Sequence, residues 1–349
     1  MTPLRSALLQ LLAGHPVAED AMQAAIGCLM DGQSNDVEIA AFLTALRCRG
    51  ETVDELVGAA RAMRDRSTRI PCQAEGRLDT CGTGGDDLQT FNISTAAAIV
   101  AAAAGIPVAK HGNRSVSSLS GSADVLEALG VNLALTPAQV ARCVDEIGIG
   151  FCFAPLLHGA MKHAAPVRKQ LGFRTIFNFL GPLTNPAGAD FQLVGTGSDE
   201  RAAQLADALS RLGARRALVV CGNNQLDEIS LWGTTRAFLV ERGQRPVELT
   251  WTPADLGLPP CSVAEIQVSS PAASARIIRD LLAGQPGAAR NMVLANAGAA
   301  LWIAGRGSDI RAGVALAAEA IDSGRAAAVL GRLAETSQKL AEAGNLGSS

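Results

Sequence analysis

Tyrosine is absent from the 349 residues, and aromatic side chains amount to only 3% of them. Ala, Leu and Val therefore have to fill most of the core. Charge is also sparse, at 18% of residues with a net −3. A general nucleic-acid binder needs excess Lys and Arg to displace counterions from phosphates, so this balance points away from DNA and RNA. Eight cysteines occur (Cys28, Cys48, Cys72, Cys81, Cys143, Cys152, Cys221 and Cys261), none in a CxxC pair. Their spacings suggest neither a zinc site nor a disulfide framework, and they read as small buried hydrophobes in a reducing cytosol. No secretory leader is expected, because the apolar run Ala7 to Leu12 is short and leads into His15, Glu19 and Asp20. The longest apolar run, Ala96 to Ala109, holds Gly105 and Pro107 and is too short to cross a bilayer. A soluble cytoplasmic protein with no membrane partner is the expectation.

Several chemical motifs are missing as well. No GK[ST] follows the glycine-rich stretch near residue 84, so it is not a Walker A loop. Asp87 stands where a GxGxxG dinucleotide fingerprint needs glycine. No GxSxG elbow is found, and His158 and His163 lack HExxH spacing.

What is present divides into two textures. Residues 1–68 read as all-helical. Leu4, Leu8, Leu11 and Leu12 form one apolar face at helical spacing, and Ala21 to Met30 continue the pattern. Asn35 with Glu38, and Thr52 with Glu55, have the spacing of capping boxes. Ile70-Pro71 breaks the pattern, which predicts a linker around residues 69–76. From Arg77 short apolar runs alternate with Ala/Leu-rich segments of helix length. The runs Leu78–Cys81, Ile106–Ala109, Ile149–Phe153, Ala217–Val220 and Ala237–Val240 have strand length. Thr136-Pro137 with Gln139 signals another helix start. The alternation predicts an α/β domain over 77–344, with a central, mostly parallel sheet and helices on both faces. Arg168 to Asn185 interrupts it and is expected to return to the N-terminal helices. Asn345 to Ser349 are expected to fray.

Asp79 to Gly130 holds three polar, glycine-bearing segments between apolar runs. In the first, Gly82, Gly84 and Gly85 lack Cβ atoms, so their amides can approach a polyanion; an ordinary strand-to-helix turn reads equally well from these residues alone. The second, Asn92-Ile93-Ser94-Thr95, reads as a helix start, with Asn92 or Ser94 as N-cap and an anion on the exposed amides as the functional alternative. The third, Lys110-His111-Gly112-Asn113-Arg114, places two positive charges and a glycine just after a strand. Downstream, Asp227-Glu228 follows a strand-like run; such a pair is either a solvated turn or an oxygen-ligand set for Mg²⁺.

Taken in order, these segments resemble the anthranilate phosphoribosyltransferase family. The resemblance rests on GTGGD at 82–86, TFNIST at 90–95, KHGNRSVSS at 110–118 and GSADVLEALG at 121–130. It continues through GFCFAPLLHGAMKHAAPVR at 150–168, RTIFNFLGPLTNPA at 174–187 and LDEIS at 226–230, so it covers nearly the whole chain. The resemblance implies a small helical domain and a large α/β domain with the active site between them. It implies a homodimer formed through the helical domains. The implied reaction joins the anthranilate nitrogen to C1 of phosphoribosyl pyrophosphate (PRPP), with release of pyrophosphate, in tryptophan synthesis. By the same resemblance Gly82, Gly85, Asp86, Thr90, Asn92, Ile93, Ser94 and Thr95 contact PRPP. So do Lys110, His111, Gly112, Asn113, Arg114, Ser115, Val116, Ser117, Ser118 and Ser122. Anthranilate is met by Gly82, Asn113, Arg168, His111 and His158. Ser94, Asp227 and Glu228 hold two Mg²⁺ per subunit, and no covalent catalytic residue is implied.

The chain departs from the family pattern at Asp87, commonly glycine, at Leu119, frequently basic, and at Cys221-Gly222-Asn223-Asn224. Two other readings share part of the pattern. A pyrimidine-nucleoside phosphorylase has the same architecture and a KHG-type loop, but Asp227-Glu228 and Arg168 favour the transferase. A non-catalytic relative binding nucleic acid is disfavoured by the net charge and the intact carboxylate pair.

Overall fold

The protein is described by a computed structural model covering residues 1–114 and 120–346. Ser115, Val116, Ser117, Ser118 and Leu119 lie outside the described residues.

Four helices open the chain: α1 (Pro3–Leu12), α2 (Glu19–Met30), α3 (Asp36–Arg49) and α4 (Val53–Asp65). The Thr52–Glu55 capping box forms, and Glu55 is fully buried, also accepting the Val17 N–H at 2.8 Å and pairing with Arg49. At α3 only half of the expected box exists. Asn35 accepts from Glu38 N at 3.0 Å, but the Glu38 carboxylate reaches across to Arg5 of α1 at 3.7 Å. Residues 66–77 form neither helix nor strand.

Seven strands follow: β1 (Leu78–Asp79), β2 (Val108–Gly112), β3 (Ile149–Phe153), β4 (Phe191–Gly195), β5 (Arg216–Gly222), β6 (Thr235–Glu241) and β7 (Val247–Trp251). They make one sheet in the order β3-β2-β1-β4-β5-β6-β7. Pairings from β3 through β5 are parallel, and β6 and β7 add antiparallel. The remaining helices are α5 (Ile93–Ala103), α6 (Ser122–Ala128), α7 (Pro137–Arg142), α8 (Ala154–Leu157), α9 (Ala165–Leu171), α10 (Phe177–Leu180), α11 (Asp199–Arg211), α12 (Pro253–Leu256), α13 (Pro271–Leu282), α14 (Ala288–Ile303), α15 (Ile310–Asp322) and α16 (Arg325–Leu346). The capping box at Thr136 is formed. Helix α16 runs to Leu346, and Gly347, Ser348 and Ser349 of the expected frayed end lie outside the described residues.

Two strands escape the sequence pattern. β4 carries the buried polar Gln192 inside its short run, and β7 is a largely solvent-facing edge with Glu248 and Thr250 between its apolar residues. β2 also starts later than expected and runs on, so Lys110, His111 and Gly112 lie within the strand rather than in a loop after it.

The sheet separates two cores, as period-2 alternation requires. Leu218 and Val220 of β5 join α5 and α14, whereas Ala217, Val219 and Cys221 join α11 and the helices of residues 1–65. Val167 of α9, and Phe177, Phe179 and Leu180 of α10, are buried in that second core. Thus 165–183 packs on the N-terminal helices. The cysteines are all free, and Cys28, Cys143, Cys152 and Cys221 are buried as expected; Cys72, Cys81 and Cys261 are only half-buried, and Cys48 is exposed at the solvated end of α3, contrary to expectation. No described helix is long and apolar enough to cross a membrane.

Candidate active site

The chain runs β1 to β2 to β3 toward one edge of the sheet, then returns to β4 and proceeds toward the other. β1 and β4 are therefore neighbours from which the connections diverge, and open α/β sheets bind ligands at the carboxyl ends of such strands. A cavity of about 570 Å³ opens there. Its walls come from residues 81–86, 89–94 and 110–114, from Asp227 and Glu228 after β5, and from α8 to α10.

The first wall is the loop after β1. Thr83 N–H donates to the Gly195 carbonyl at 2.8 Å, stitching the loop to the end of β4. Gly84 N–H donates to Asp227 Oδ2 at 2.9 Å. A Cβ at Gly195 would stand 1.5 Å from the Asp227 carbonyl oxygen, so this crossing requires glycine. Gly84 and Gly85 have φ of 64° and 74°, where glycine is favoured. Asp87 and Gln89 follow in the same left-handed region at 57° and 56°. The acid at Asp87 thus occupies a backbone position that suits the glycine common in the family; Asp is among the side chains that tolerate it.

The second wall is the N-terminus of α5. Asn92 sits at the N-cap position, but its side chain does not cap the helix. Its Nδ2 donates to the Ser120 carbonyl, and its Oδ1 accepts from Ser120 and Ser274 hydroxyls, each at 2.8 Å. The helix amide at Ser94 donates instead to Glu228 Oε1 at 3.0 Å. Lys110 is buried, with Nζ donating to the Thr80 carbonyl at 3.0 Å and lying 3.3 Å from Ser94 Oγ. Thr90 and Ile93 line the cavity, but Thr95 does not; its side chain is buried on the far side of α5.

The third wall is the end of β2. Gly112 has no room for a Cβ, which would fall 2.3 Å from Ser122 Oγ. Ser122 Oγ in turn donates to the Asn113 carbonyl at 3.2 Å. Arg114 is committed elsewhere, in ion pairs with Asp124 and Glu127 of α6. Its charge is consequently shared with that helix rather than offered whole to the cavity.

On the remaining wall, His111 Nδ1 lies 3.0 Å from the Gly181 carbonyl, which can only accept, so this nitrogen carries the proton. The bare His111 Nε2 then accepts from His158 Nε2 at 3.1 Å. Burial pushes both rings down, His111 to about 4 and His158 to about 3, so the pair is neutral at pH 7. Arg168 of α9 lies with its guanidinium 5.3 Å from the Phe177 ring centre and has no carboxylate partner among the described residues. Burial alone lowers its pKa.

The carboxylates test whether a cation fits. Burial first, then the neighbouring Asp86, pushes Asp227 up to about 7. Burial and then Asp227 push Glu228 well above the usual carboxylate range. Asp86 Oδ2 is itself buried without a partner. Three acids thus crowd a site whose nearby cations are Lys110 and Arg174. That surplus of oxygen ligands fits a divalent cation of the Mg²⁺ type. A tighter cluster, Asp79, Cys81 and His111 within 4.8 Å, does not fit one. Asp79 already accepts from His111 N–H at 3.0 Å and Asn185 Nδ2 at 2.8 Å, and burial keeps the Cys81 thiol protonated.

Sequence reasoning missed Asp79, Asn185 and Arg174. Arg174 donates to the Gly85 carbonyl at 2.9 Å and the Thr83 carbonyl at 3.2 Å. Its signal was an arginine in the segment predicted to return to the helices, but nothing local indicated that it faces a loop ninety residues upstream.

Residues 5–67 match the helical bundle domain of the glycosyl transferase family, and residues 74–327 match that family's a/b domain. The anthranilate phosphoribosyltransferase of Thioalkalivibrio sulfidiphilus is 51% identical over 317 residues, covering 91% of this chain and 94% of that one. The crystal structure of the anthranilate phosphoribosyltransferase of Thermus thermophilus superposes with a TM-score of 0.89 at 42% identity, covering 97% and 100% of the two chains. That of Saccharomyces cerevisiae in complex with PRPP and Mg superposes with a TM-score of 0.88 at 27% identity, covering 97% and 98%.

Proposed function

The chain belongs to the anthranilate phosphoribosyltransferases, and from that premise we propose how its residues transfer the phosphoribosyl group of PRPP to the amino group of anthranilate. The observation that carries the reading is the two-sidedness of one cavity. Main-chain amides and three acids meet on one side, and on the other stands an arginine with no acid partner among the described residues.

PRPP takes the polyanion side. The amides of residues 82–86 and the α5 N-terminus suit its phosphates, with Lys110 held behind them. The Gly84 and Ser94 amides donate to Asp227 and Glu228. These two carboxylates, with Ser94 Oγ, would hold Mg²⁺, and we assign two ions per subunit to the surplus of acid. Held there, Mg²⁺ would supply electrostatic stabilisation for the charge on the pyrophosphate leaving group. Anthranilate takes the opposite side, where Arg168 offers a planar fork to its carboxylate. Its amine is already a nucleophile, so the protein's task is to align the nitrogen with C1 and exclude water. His111 and His158, neutral and bonded to each other, shape this wall without contributing a charge.

Helices α1 and α3 present Leu9, Leu12 and Val37 to solvent at 50%, 69% and 79% exposure. This apolar face supports a homodimer through the helical bundles; light scattering of Leu12→Glu, expected monomeric, checks it. The activity itself is tested by loss of anthranilate fluorescence on adding PRPP and Mg²⁺. Fluorescence that persists with both present would retire the reading.

A further inference from the structure

We propose that Arg174 is a positioning residue that sets the main-chain orientation of the 82–86 loop, and that it does so from an anchor on the helical bundle. The proposal rests on the transfer reading above, in which that loop receives PRPP.

The argument starts from peptide geometry. In a trans peptide, as all those of residues 82–86 are, the C=O and N–H point in opposite directions. Arg174 Nη2 holds the Thr83 carbonyl, while the N–H of the same peptide, on Gly84, points the other way to Asp227. Arg174 Nη1 holds the Gly85 carbonyl, so the Asp86 N–H likewise points away from the guanidinium. Two alternate carbonyls are therefore drawn to one side, which the left-handed φ of Gly84 and Gly85 permits. Released from the fork, those carbonyl oxygens would be free to turn toward a cavity that already holds Asp86, Asp227 and Glu228. A polyanion would then meet oxygens where it needs N–H groups.

Glycine at residue 85, already favoured by its φ of 74°, also leaves room for the fork. A Cβ there would stand 2.1 Å from Arg174 Nη1 and 2.8 Å from Cζ. The anchor lies on the other side of the arginine. Its guanidinium is 5.3 Å from the centre of the Phe179 ring on α10, and Arg201 of α11 lies 4.0 Å from the same ring. Arg201 Nη2 donates to Glu51 Oε2 at 2.9 Å, in the connection between α3 and α4. The chain of contacts thus runs from helical bundle to ring to loop, and the bundle's position helps fix the direction of the loop amides.

Charge alone is the rival explanation, because Arg174 also lies near Asp227 and Asp87. Lysine keeps the charge but not the planar fork, so Arg174→Lys separates the two. PRPP binding in the presence of Mg²⁺ is measured by calorimetry on the full chain, with KM for both substrates and Tm for each variant. Arg174→Lys and Gly85→Ala are each expected to weaken PRPP binding about ten-fold, the scale of losing charge-assisted hydrogen bonds. Anthranilate KM should stay within about two-fold of wild type, and the double variant should be no worse than the weaker single, because both break one contact. Arg174→Lys binding PRPP like wild type would overturn the fork, and so would equal rises in both KM values. If Gly85→Ala fails to fold, the lysine variant decides alone. Wild type that binds no PRPP would instead overturn the transfer reading, and the fork with it.

Discussion

The two sides of the cavity are built from different materials. The side proposed for the polyanion is mostly main chain, with glycines at 82, 84, 85 and 112, the first turn of α5 and a chain crossing at Gly195 that tolerates no Cβ. The side proposed for the acceptor is mostly side chain, with Arg168, His111 and His158 carried on α9, β2 and the end of α8. Main-chain recognition of phosphate is indifferent to side-chain identity but intolerant of displacement. Side-chain recognition of a carboxylate is the reverse. Substitutions on the first side should therefore act through geometry and charge balance, and those on the second through loss of one chemical group.

The strongest way to break this comparison is to remove the acids that stand beside the main-chain amides of the first side. Asp227→Asn with Glu228→Gln should lower kcat by about a thousand-fold, the scale of losing electrostatic stabilisation of a leaving group. Tm should hold or rise, because buried carboxylates with raised pKa values cost stability when charged. A Mg²⁺ titration of the rate shows the outcome; a wild-type curve would detach these residues from the metal.

Next in size is Arg168. Arg168→Ala should raise anthranilate KM about a hundred-fold, equivalent to roughly 2.7 kcal/mol for a lost charge-assisted pair, and leave PRPP KM nearly unchanged. Arg168→Lys should recover only part. Equal rises in both KM values would place Arg168 among the supports of the cleft, and the carboxylate would then be read by Asn113 or His111.

The histidine pair gives a smaller effect, visible in acid. Both rings have folded pKa values below the ordinary 6.5, so the unfolded chain binds more protons as pH drops. Their stabilisation is present above pH 6.5, declines below it, and is lost in full by about pH 3 to 4. The expected slope is about 1.4 kcal/mol per pH unit for each ring within that window. His158→Gln should remove part of this slope in a Tm series from pH 7 to 4, and an unaltered slope would show that acids elsewhere dominate.

The smallest effect is expected at Asp87, beside the main-chain wall. Asp87→Gly relieves a left-handed backbone and removes one negative charge near the polyanion side. PRPP affinity should rise by no more than about three-fold, and by more at low salt, where screening is weaker. Identical, salt-independent affinities in calorimetry would show that Asp87 acts on the backbone alone.

Much of the fold was legible because its signals are local. The Thr52 and Thr136 capping boxes, the apolar period of α1 and the β3 run each need only a few neighbouring residues to be read. β4 and β7 were not legible, since Gln192 is buried by the Pro182 carbonyl it bonds and β7 draws its pairing from β6. The site divides in the same way. Gly82 to Asp86 and Asp227-Glu228 stand out by composition, though each also reads as an ordinary turn, whereas Asp79, Asn185 and Arg174 look ordinary in the chain.

The sequence by itself determined the class of fold, the helical N-terminus, the kinds of group available to a polyanion and, by resemblance, the family. Tertiary structure alone decided which of those groups are free to act. Arg114 looks like a ligand for phosphate until α6 supplies Asp124 and Glu127. Asn92 looks like a helix cap until Ser120 and Ser274 claim its side chain and Glu228 takes the Ser94 amide instead. Arg174 looks like a surface residue until it meets the carbonyls of Thr83 and Gly85. The physical reason is common to all three. Which groups a residue can offer is written in its own atoms, but which it has left to offer depends on partners far away in the chain, and only folding brings them within about 3 Å of each other.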